Sequence, residues 1–289
     1  MRLATSEFHP GVIGTYLLGL FLFSMLLFHP LFLILTMTQL LIFHKLFGDW
    51  RQVKEWLPFF FGMIGILIVI NALLVHRGSH VLFTLHQPIT LEAILYGGTL
   101  GLLIVTMFLI FMTYNILLPS EKFLYLAGKF LPKTALLVMM SLRMVPLLKQ
   151  RITEIQAARR VRFSPSSDWF IQMKHHMQVV MTLTTWSLEE ALESADSMHA
   201  RGYGQRKRSV YEPYDWDRRD SVVVTFLVVS LLFIGWGWIQ GYGVFTIYPV
   251  MEPLFTDSFE WVLAWLWLIW GAWPIWMEGG EWFRWHLLK

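Results

Sequence analysis

The chain has 289 residues and contains no cysteine. A disulfide framework, a thiolate metal site and a cysteine nucleophile are therefore excluded. Charged residues are also scarce, at 15% of the sequence, and the formal net charge is only +3. Such a mild positive balance argues against nucleic acid as the main partner.

Catalytic and nucleotide-binding motifs are missing as well. The sequence has no G-x-x-x-x-G-K-[ST] stretch, because residues 202–209 have the right letters at the wrong spacing. The motifs H-E-x-x-H and G-x-S-x-G are absent too, and no predicted span contains a pair of carboxylates. We therefore expect no catalytic residue, no cofactor and no resident metal. The chain is interpreted as a scaffold that transmits movement rather than an enzyme.

Apolar residues, by contrast, make up 56% of the sequence and form runs long enough to cross a bilayer. The predicted spans are residues 11–28, 31–47, 58–75, 91–118, 221–239 and 259–277. The first has no basic leader and no small-residue cleavage site, so we expect a retained span rather than a signal peptide. The sequence predicts an all-α integral membrane protein with about six transmembrane helices.

Residues 119–220 differ from the rest, because their apolar residues recur at helical spacing. Leu188, Leu192 and Ala195 share one helical face, and acidic residues lie between them, as is typical of an amphipathic helix. Lysine and arginine are concentrated here, so the positive-inside rule places the segment in the cytoplasm. We divide the chain into N-terminal transmembrane helices (1–118), a cytoplasmic region with two long helices (119–220) and C-terminal transmembrane helices (221–289).

Two predicted helices of the cytoplasmic region end in the same way. One ends at Arg162 before Phe163-Ser164-Pro165, and the other ends at Arg201 before Gly202-Tyr203-Gly204. An arginine in the last turn is favoured by the negative end of the helix dipole, and its side chain projects past the helix. Either arginine alone is explained as an ordinary cap in water. Their repetition indicates a partner with two equivalent binding sites.

Other features have simpler interpretations. The histidines His76, His80 and His86 of the loop after the third span could bind a metal, but such spacings often occur by chance, and we interpret this segment as a polar loop. The run at 206–208 could bind acidic lipid, although positive-inside charge suffices to explain it. Six tryptophans in the last span indicate an interfacial or packing belt. Gly62 and Gly65 suggest a close helix contact in the third span.

In the segments around both arginines the sequence resembles the transmembrane T component of energy-coupling factor (ECF) transporters, the EcfT/CbiQ family, which includes the CbiQ cobalt-transport proteins. The clearest likeness is residues 190–203, EALESADSMHARGY, which are similar to the helix that ends in the family's second Ala-Arg-Gly motif. Residues 141–158 resemble the helix before the first motif. Weaker signals are His29-Pro30-Leu31 and Pro119-Ser120-Glu121.

The resemblance assigns the site residues. The second motif falls on Ala200, Arg201 and Gly202. The first falls on Val161, Arg162 and Phe163, where the family usually has small residues around the arginine. Because Phe163 departs from that pattern, a shifted register on Ala158, Arg159 and Arg160 stays open.

The resemblance also implies a function, that of the energy-coupling membrane subunit of an ATP-driven (ABC-type) uptake transporter in a prokaryotic plasma membrane. The implied partners are two cytoplasmic ABC-type ATPase subunits, which receive the two coupling helices, and a membrane-embedded S component that binds a vitamin or a transition-metal ion. The alternative is a self-contained secondary transporter, which needs ionisable groups or broken helices at mid-membrane depth. The sequence leaves the substrate open, because specificity would reside on another chain.

Overall fold

A computed structural model describes residues 8–48, 50–75, 78, 80–84, 88–162, 169–205, 214–247 and 258–287. In chain order the elements are α1 (Pro10–Leu26), α2 (Pro30–Leu46), α3 (Trp50–Leu74), β1 (Val81–Thr84), β2 (Pro88–Thr90), α4 (Leu91–Leu117), α5 (Ser120–Phe130), α6 (Pro132–Arg162), α7 (Trp169–Ala200), α8 (Arg218–Ile239) and α9 (Ser258–Leu287). Two compact units are formed, one by Met1–Phe123 with Tyr214–Lys289 and the other by Leu124–Pro213. The predicted all-α membrane fold is confirmed.

Three of the described helices, α3, α4 and α8, are both long and apolar enough to cross a membrane. The apolar helices α1 and α2 have 17 residues each, which is about 26 Å at 1.5 Å per residue and slightly less than a bilayer core of about 30 Å. Helix α9 has the length, with 30 residues, but tryptophan makes it less apolar. Pro146 lies inside α6, which continues through it to Arg162.

Helices α1 and α2 begin with the same His-Pro pair. His9 and His29 are the N-cap residues, and their Nδ1 atoms accept hydrogen bonds from the backbone N–H groups of Gly11 and Leu31 at 3.0 and 3.2 Å. The proline that follows suits the first helical position, where an N–H group would have no partner. Asp220 in the first turn of α8 accepts a further bond from the backbone N–H of His9 at 3.3 Å. The starts of α1 and α8 are thereby joined.

Helix α4 lies centrally in the first unit, packed against α1, α2 and α3. Its closest approach is to α3, because a Cβ on Gly97 would lie 2.7 Å from the Leu67 carbonyl oxygen and one on Gly101 would lie 2.9 Å from the Ile64 Cα. Glycines four residues apart allow two helix backbones to approach in this way.

The glycines singled out in α3 lie elsewhere. A Cβ on Gly62 or Gly65 would meet nothing within 4 Å among the described residues. The predicted close contact through them is therefore wrong, since the helix rotation that brings α3 onto Gly97 and Gly101 turns Gly62 and Gly65 outward. Helices α3 and α4 do make a close contact, but the glycines that allow it, Gly97 and Gly101, lie on α4.

Helix α9 supplies aromatic side chains to the core of the first unit. Trp267 and Trp270 are stacked, with ring centroids 5.4 Å apart, and are 1% and 0% exposed. The indole N–H of Trp267 donates to the Thr36 hydroxyl at 2.9 Å, and the Tyr16 hydroxyl donates to the Gly271 carbonyl at 3.1 Å. Because Tyr16 lies on α1 and Thr36 lies on α2, these two hydrogen bonds join α9 to both helices.

The tryptophans of the last span divide into a buried and an exposed group, and the buried group confirms the packing role. Trp267, Trp270 and Trp273 are buried, whereas Trp261, Trp265 and Trp276 are more than half exposed. The buried three form a packing belt at helical spacing, and the other three face outward on α9.

The segment predicted as a polar loop after the third span contains a short antiparallel hairpin, in which Val81 pairs with Thr90. His80, just before β1, donates its backbone N–H to the Glu92 carboxylate at 3.1 Å, and its ring Nδ1 lies 3.0 Å from the same oxygen. Glu92 is fully buried in the first turn of α4, where a carboxylate is favoured by the helix dipole. The hairpin is thus attached to the start of α4.

The second unit contains the packed pair α6 and α7. These helices have 31 and 32 residues, or about 47 and 48 Å at 1.5 Å per residue. Buried side chains are few in the described part of this unit, and Val179 at 9% exposure is one of them. Most of both helix surfaces is therefore open in the isolated chain.

Candidate functional site

The end of α7 has a specific backbone geometry. The backbone N–H of Gly202 bonds to the His199 carbonyl at 2.9 Å, and that of Tyr203 bonds to the Met198 carbonyl at 3.0 Å. These two bonds form a Schellman motif, which requires a left-handed residue immediately after the helix cap. Gly202 supplies it, with φ of +79°. Glycine is needed here because a side chain would clash in that conformation.

Arg201 is the residue between the last helical position and this glycine. Its backbone N–H still bonds to the Ser197 carbonyl at 3.2 Å, so it is held on the final turn. The residue is exposed, and Ala200 beside it is exposed as well. The motif thus fixes the backbone of Arg201 while its guanidinium group faces solvent at the helix end.

The first motif lies partly outside the described residues. Helix α6 extends to Arg162, as the sequence predicts, and Val161 is its penultimate residue. The side chains of residues 159–162 and all of Phe163 lie outside the described residues. Ala158 is exposed on the last described turns of α6. The choice between the two registers of the first motif therefore stays a prediction.

Acidic side chains precede the α7 end. Glu189, Glu193 and Asp196 are exposed along the last three turns of α7, and Arg201 forms no ion pair with any described residue. A cation at a helix C-terminus is stabilised by the dipole without a side-chain partner. Its planar fork of N–H donors remains available to a carboxylate of another protein, which it can bind through two parallel hydrogen bonds.

Of the three histidines that could bind a metal, the structure describes only His80. His80 is bonded to Glu92, whereas His76 and His86 lie outside the described residues. Within the described part of the chain, no three histidine, cysteine, aspartate or glutamate residues are grouped closely enough to hold a metal ion.

One contact between α6 and α7 was not predicted from the sequence. The guanidinium carbon of Arg151 lies 4.9 Å from the centroid of the Trp186 ring, and Arg151 Nη1 donates to Glu154 at 2.7 Å. The spacing of Arg151 and Glu154 on one helix was a visible signal. Their pairing with Trp186 had none, because one sequence does not reveal which positions of two helices meet.

The residues at both helix ends fall within a recognised family. A family model described as "CbiQ: Cobalt transport protein" matches residues 8–211. The chain belongs to the CbiQ family. The predicted family is thereby confirmed, and the chain is a multi-pass membrane protein of a transporter family.

Two curated proteins are similar to shorter segments of the chain. The "Energy-coupling factor transporter transmembrane protein EcfT" of Lactobacillus helveticus is 30% identical over 105 residues, which are 35% of this chain and 38% of that protein. An uncharacterized protein of Mycoplasma pneumoniae is 30% identical over 107 residues, which are 35% of this chain and 24% of that protein. The aligned segments thus span well under half the length of either relative.

Substituting the glycine of the α7 end tests the local geometry. Gly202→Ala places a side chain at φ of +79°, which costs about 1–2 kcal/mol. We expect the amides of residues 202 and 203 to exchange with solvent roughly 5- to 30-fold faster, as measured by hydrogen–deuterium exchange of the peptide that contains them.

Two comparisons make this result specific. Gly202→Asn should have a smaller effect, because asparagine tolerates the left-handed region. Gly128→Ala is the matched control, since its new Cβ would only make an ordinary 3.6 Å contact with Ala135. Wild-type exchange rates in Gly202→Ala would contradict the role assigned to this glycine.

Proposed function

We propose that this CbiQ-family chain is the energy-coupling membrane subunit of an ECF-type ABC uptake transporter in a prokaryotic plasma membrane. In this role α6 and α7 are the coupling helices, whose ends receive force from two ATPase subunits. The observation that carries the proposal is the α7 end, where a Schellman motif holds the exposed Arg201 immediately before Gly202. The relative from Lactobacillus helveticus, whose name includes energy coupling, supports the same role.

The cytoplasm is proposed as the location of both coupling helices. Lysine and arginine are concentrated between residues 143 and 219, and such residues are retained on the cytoplasmic side of a membrane. ATP-hydrolysing subunits act on that side, so the charge distribution and the proposed partners agree. An acidic groove on each ATPase would complement Arg201 and Arg162.

A membrane-embedded S component is the second proposed partner. Helix α7 presents a series of exposed apolar side chains, namely Phe170, Met173, Met177, Val180 and Met181. Methionine-rich surfaces adapt to more than one partner, because the side chain is flexible and polarizable. Such a surface suits a binding protein that must be held and then reoriented to release a vitamin or a transition-metal ion.

A self-contained secondary transporter fits the chain less well. Buried charged residues are found among the described residues at Glu92, Lys122, Asp220 and Glu278. Glu92 and Asp220 are in first turns of helices, Lys122 precedes the coupling helices, and Glu278 follows the predicted last span. Proton-coupled or ion-coupled carriers need such groups at mid-membrane depth.

Affinity purification from native membranes tests the proposal. The tagged chain is solubilised in mild detergent, and the bound proteins are identified by mass spectrometry. We expect two ATPase copies and one small integral membrane protein for each copy of the chain. Purification of the chain alone, with uptake that continues when ATP hydrolysis is blocked, would contradict the proposal and support a secondary transporter.

A further inference from the structure

The contact between Arg151 and Trp186 joins the two coupling helices at a defined point. The Arg151 guanidinium carbon lies over the Trp186 ring at 4.9 Å from its centroid, within the range of a cation–π interaction. Arg151 also donates to Glu154 at 2.7 Å, one turn further along α6. The side chain is therefore held from two directions although it is about half exposed.

Around this contact, the less exposed residues of each helix form a stripe. On α7 the stripe is Val179, Leu183, Trp186, Glu190, Ser194 and Met198. On α6 it includes Met140, Met144, Leu148, Ile152 and Ile155. Both recur every three or four residues, as expected of two helices that pack along one face each.

Stripe packing alone does not fix a crossing angle. Ridges of side chains fit into grooves at preferred angles with a scatter of about 15–20°. A guanidinium group over an indole ring is directional, because the cation must stay above the ring face. The Arg151–Trp186 contact therefore selects one angle from the range that packing allows.

The crossing angle controls the position of both helix ends. At 1.5 Å per residue, the contact lies about 16 Å along α6 from Arg162 and about 22 Å along α7 from Arg201. A rotation of about 10° at the contact would move the helix ends by roughly 3–4 Å. Such displacements are large compared with the reach of a hydrogen bond.

We propose that Arg151 and Trp186 are positioning residues, which set the crossing angle of α6 and α7 and so the separation of the helix ends that bind the ATPases. The effect on transport rests on the proposed function. The effect on the crossing angle concerns this chain alone. The two parts are tested by separate measurements.

The first measurement is the distance between spin labels near the helix ends, in the full chain in lipid nanodiscs. Because the chain has no cysteine, Ala158→Cys and Ser197→Cys at exposed positions give a single labelled pair. We expect Trp186→Leu and Arg151→Met each to broaden the distance distribution about twofold, since the directional contact is lost. Trp186→Phe and Arg151→Lys keep a ring or a cation and should broaden it less.

Matched controls lie on the same helices. Trp169→Leu removes an exposed tryptophan at the start of α7, and Arg143→Met removes an exposed arginine two turns before Arg151. Both should leave the distribution unchanged. The folding of each variant is first checked by its elution volume in size-exclusion chromatography, which should equal that of the wild type. Because four substitutions at two positions are made, the test does not depend on any single variant being folded. A distribution of wild-type width in folded Trp186→Leu or Arg151→Met would overturn the inference.

The second measurement uses the assembled transporter. We expect Trp186→Leu to retain the ATPase subunits and ATP hydrolysis but to transport several-fold less substrate per ATP, and Trp186→Phe to restore most of the loss. Loss of the ATPase subunits from Trp186→Leu while the label distances keep their wild-type distribution would overturn the positioning role, because it would place Trp186 in the docking surface. Failure of the wild-type chain to bind ATPases would instead overturn the proposed function, whatever the label distances show.

Discussion

Replacing both helix-end arginines by glutamate, Arg162→Glu plus Arg201→Glu, is expected to detach the ATPase subunits and to abolish ATP-driven uptake. Losing one partner of a buried interfacial charge pair costs about 2–5 kcal/mol, or roughly 30-fold to a few thousandfold in affinity. Reversing the charge adds repulsion from the acidic partner. The measurements are co-purification of the ATPases and substrate uptake into proteoliposomes.

Single substitutions should show a graded response. Arg201→Glu is expected to have the larger effect, because its motif matches the family more closely than the one at Arg162. Arg201→Lys keeps the charge but loses the planar fork, so binding should be intermediate. Arg219→Glu changes the net charge equally at an exposed position of α8 and should bind normally. Uptake at the wild-type rate by the double variant would refute the assignment of these two residues.

The end of α7 was predictable because neighbouring residues determine it. A glycine after the last helical residue is the usual signal of a left-handed cap, and the structure has Gly202 in that conformation. The arginine before it is then exposed by the same local geometry. At the end of α6 the local signal was Phe163-Ser164-Pro165, which lies outside the described residues, and the described part of the helix runs to Arg162. Local chemistry thus located the end of α7.

Contacts between distant segments were not predictable in the same way. The tryptophans of α9 formed one apolar run in the sequence, yet Trp267 is buried and Trp265 is exposed. The difference depends on Thr36 and Tyr16, which are more than 200 residues away and bond to α9. A single sequence gives helical periodicity, but not the neighbour that each face meets.

The short hairpin of β1 and β2 was missed for a related reason. Strands of four and three residues offer little alternating pattern to detect. Their position depends on the bond from His80 to the buried Glu92. That carboxylate was expected to be part of a span, and its partner was expected to be in a polar loop. Only the folded arrangement shows that they stabilise each other.

Widening the closest helix contact in the membrane unit should have the largest effect on folding. Gly97→Leu plus Gly101→Leu places two side chains where a Cβ would already lie 2.7 and 2.9 Å from the α3 backbone. Overpacking costs about 1–3 kcal/mol at each site, and backbone atoms cannot move aside as side chains do. We expect the midpoint of thermal unfolding in detergent to fall by about 10–20 °C, measured by a tryptophan-fluorescence melt.

The matched control is Gly62→Leu plus Gly65→Leu, which adds the same two side chains to the other helix of the pair. Because nothing described lies within 4 Å of either position, the midpoint should change by no more than about 2 °C. Both variants exchange two glycines for two leucines in neighbouring helices. A difference between their unfolding midpoints therefore reports helix packing and not amino-acid composition. If the two double variants melted at the same temperature, α3 and α4 could not be packed through Gly97 and Gly101. If the α3 variant alone lost stability, the rotation of α3 about its axis would be the reverse of the one described.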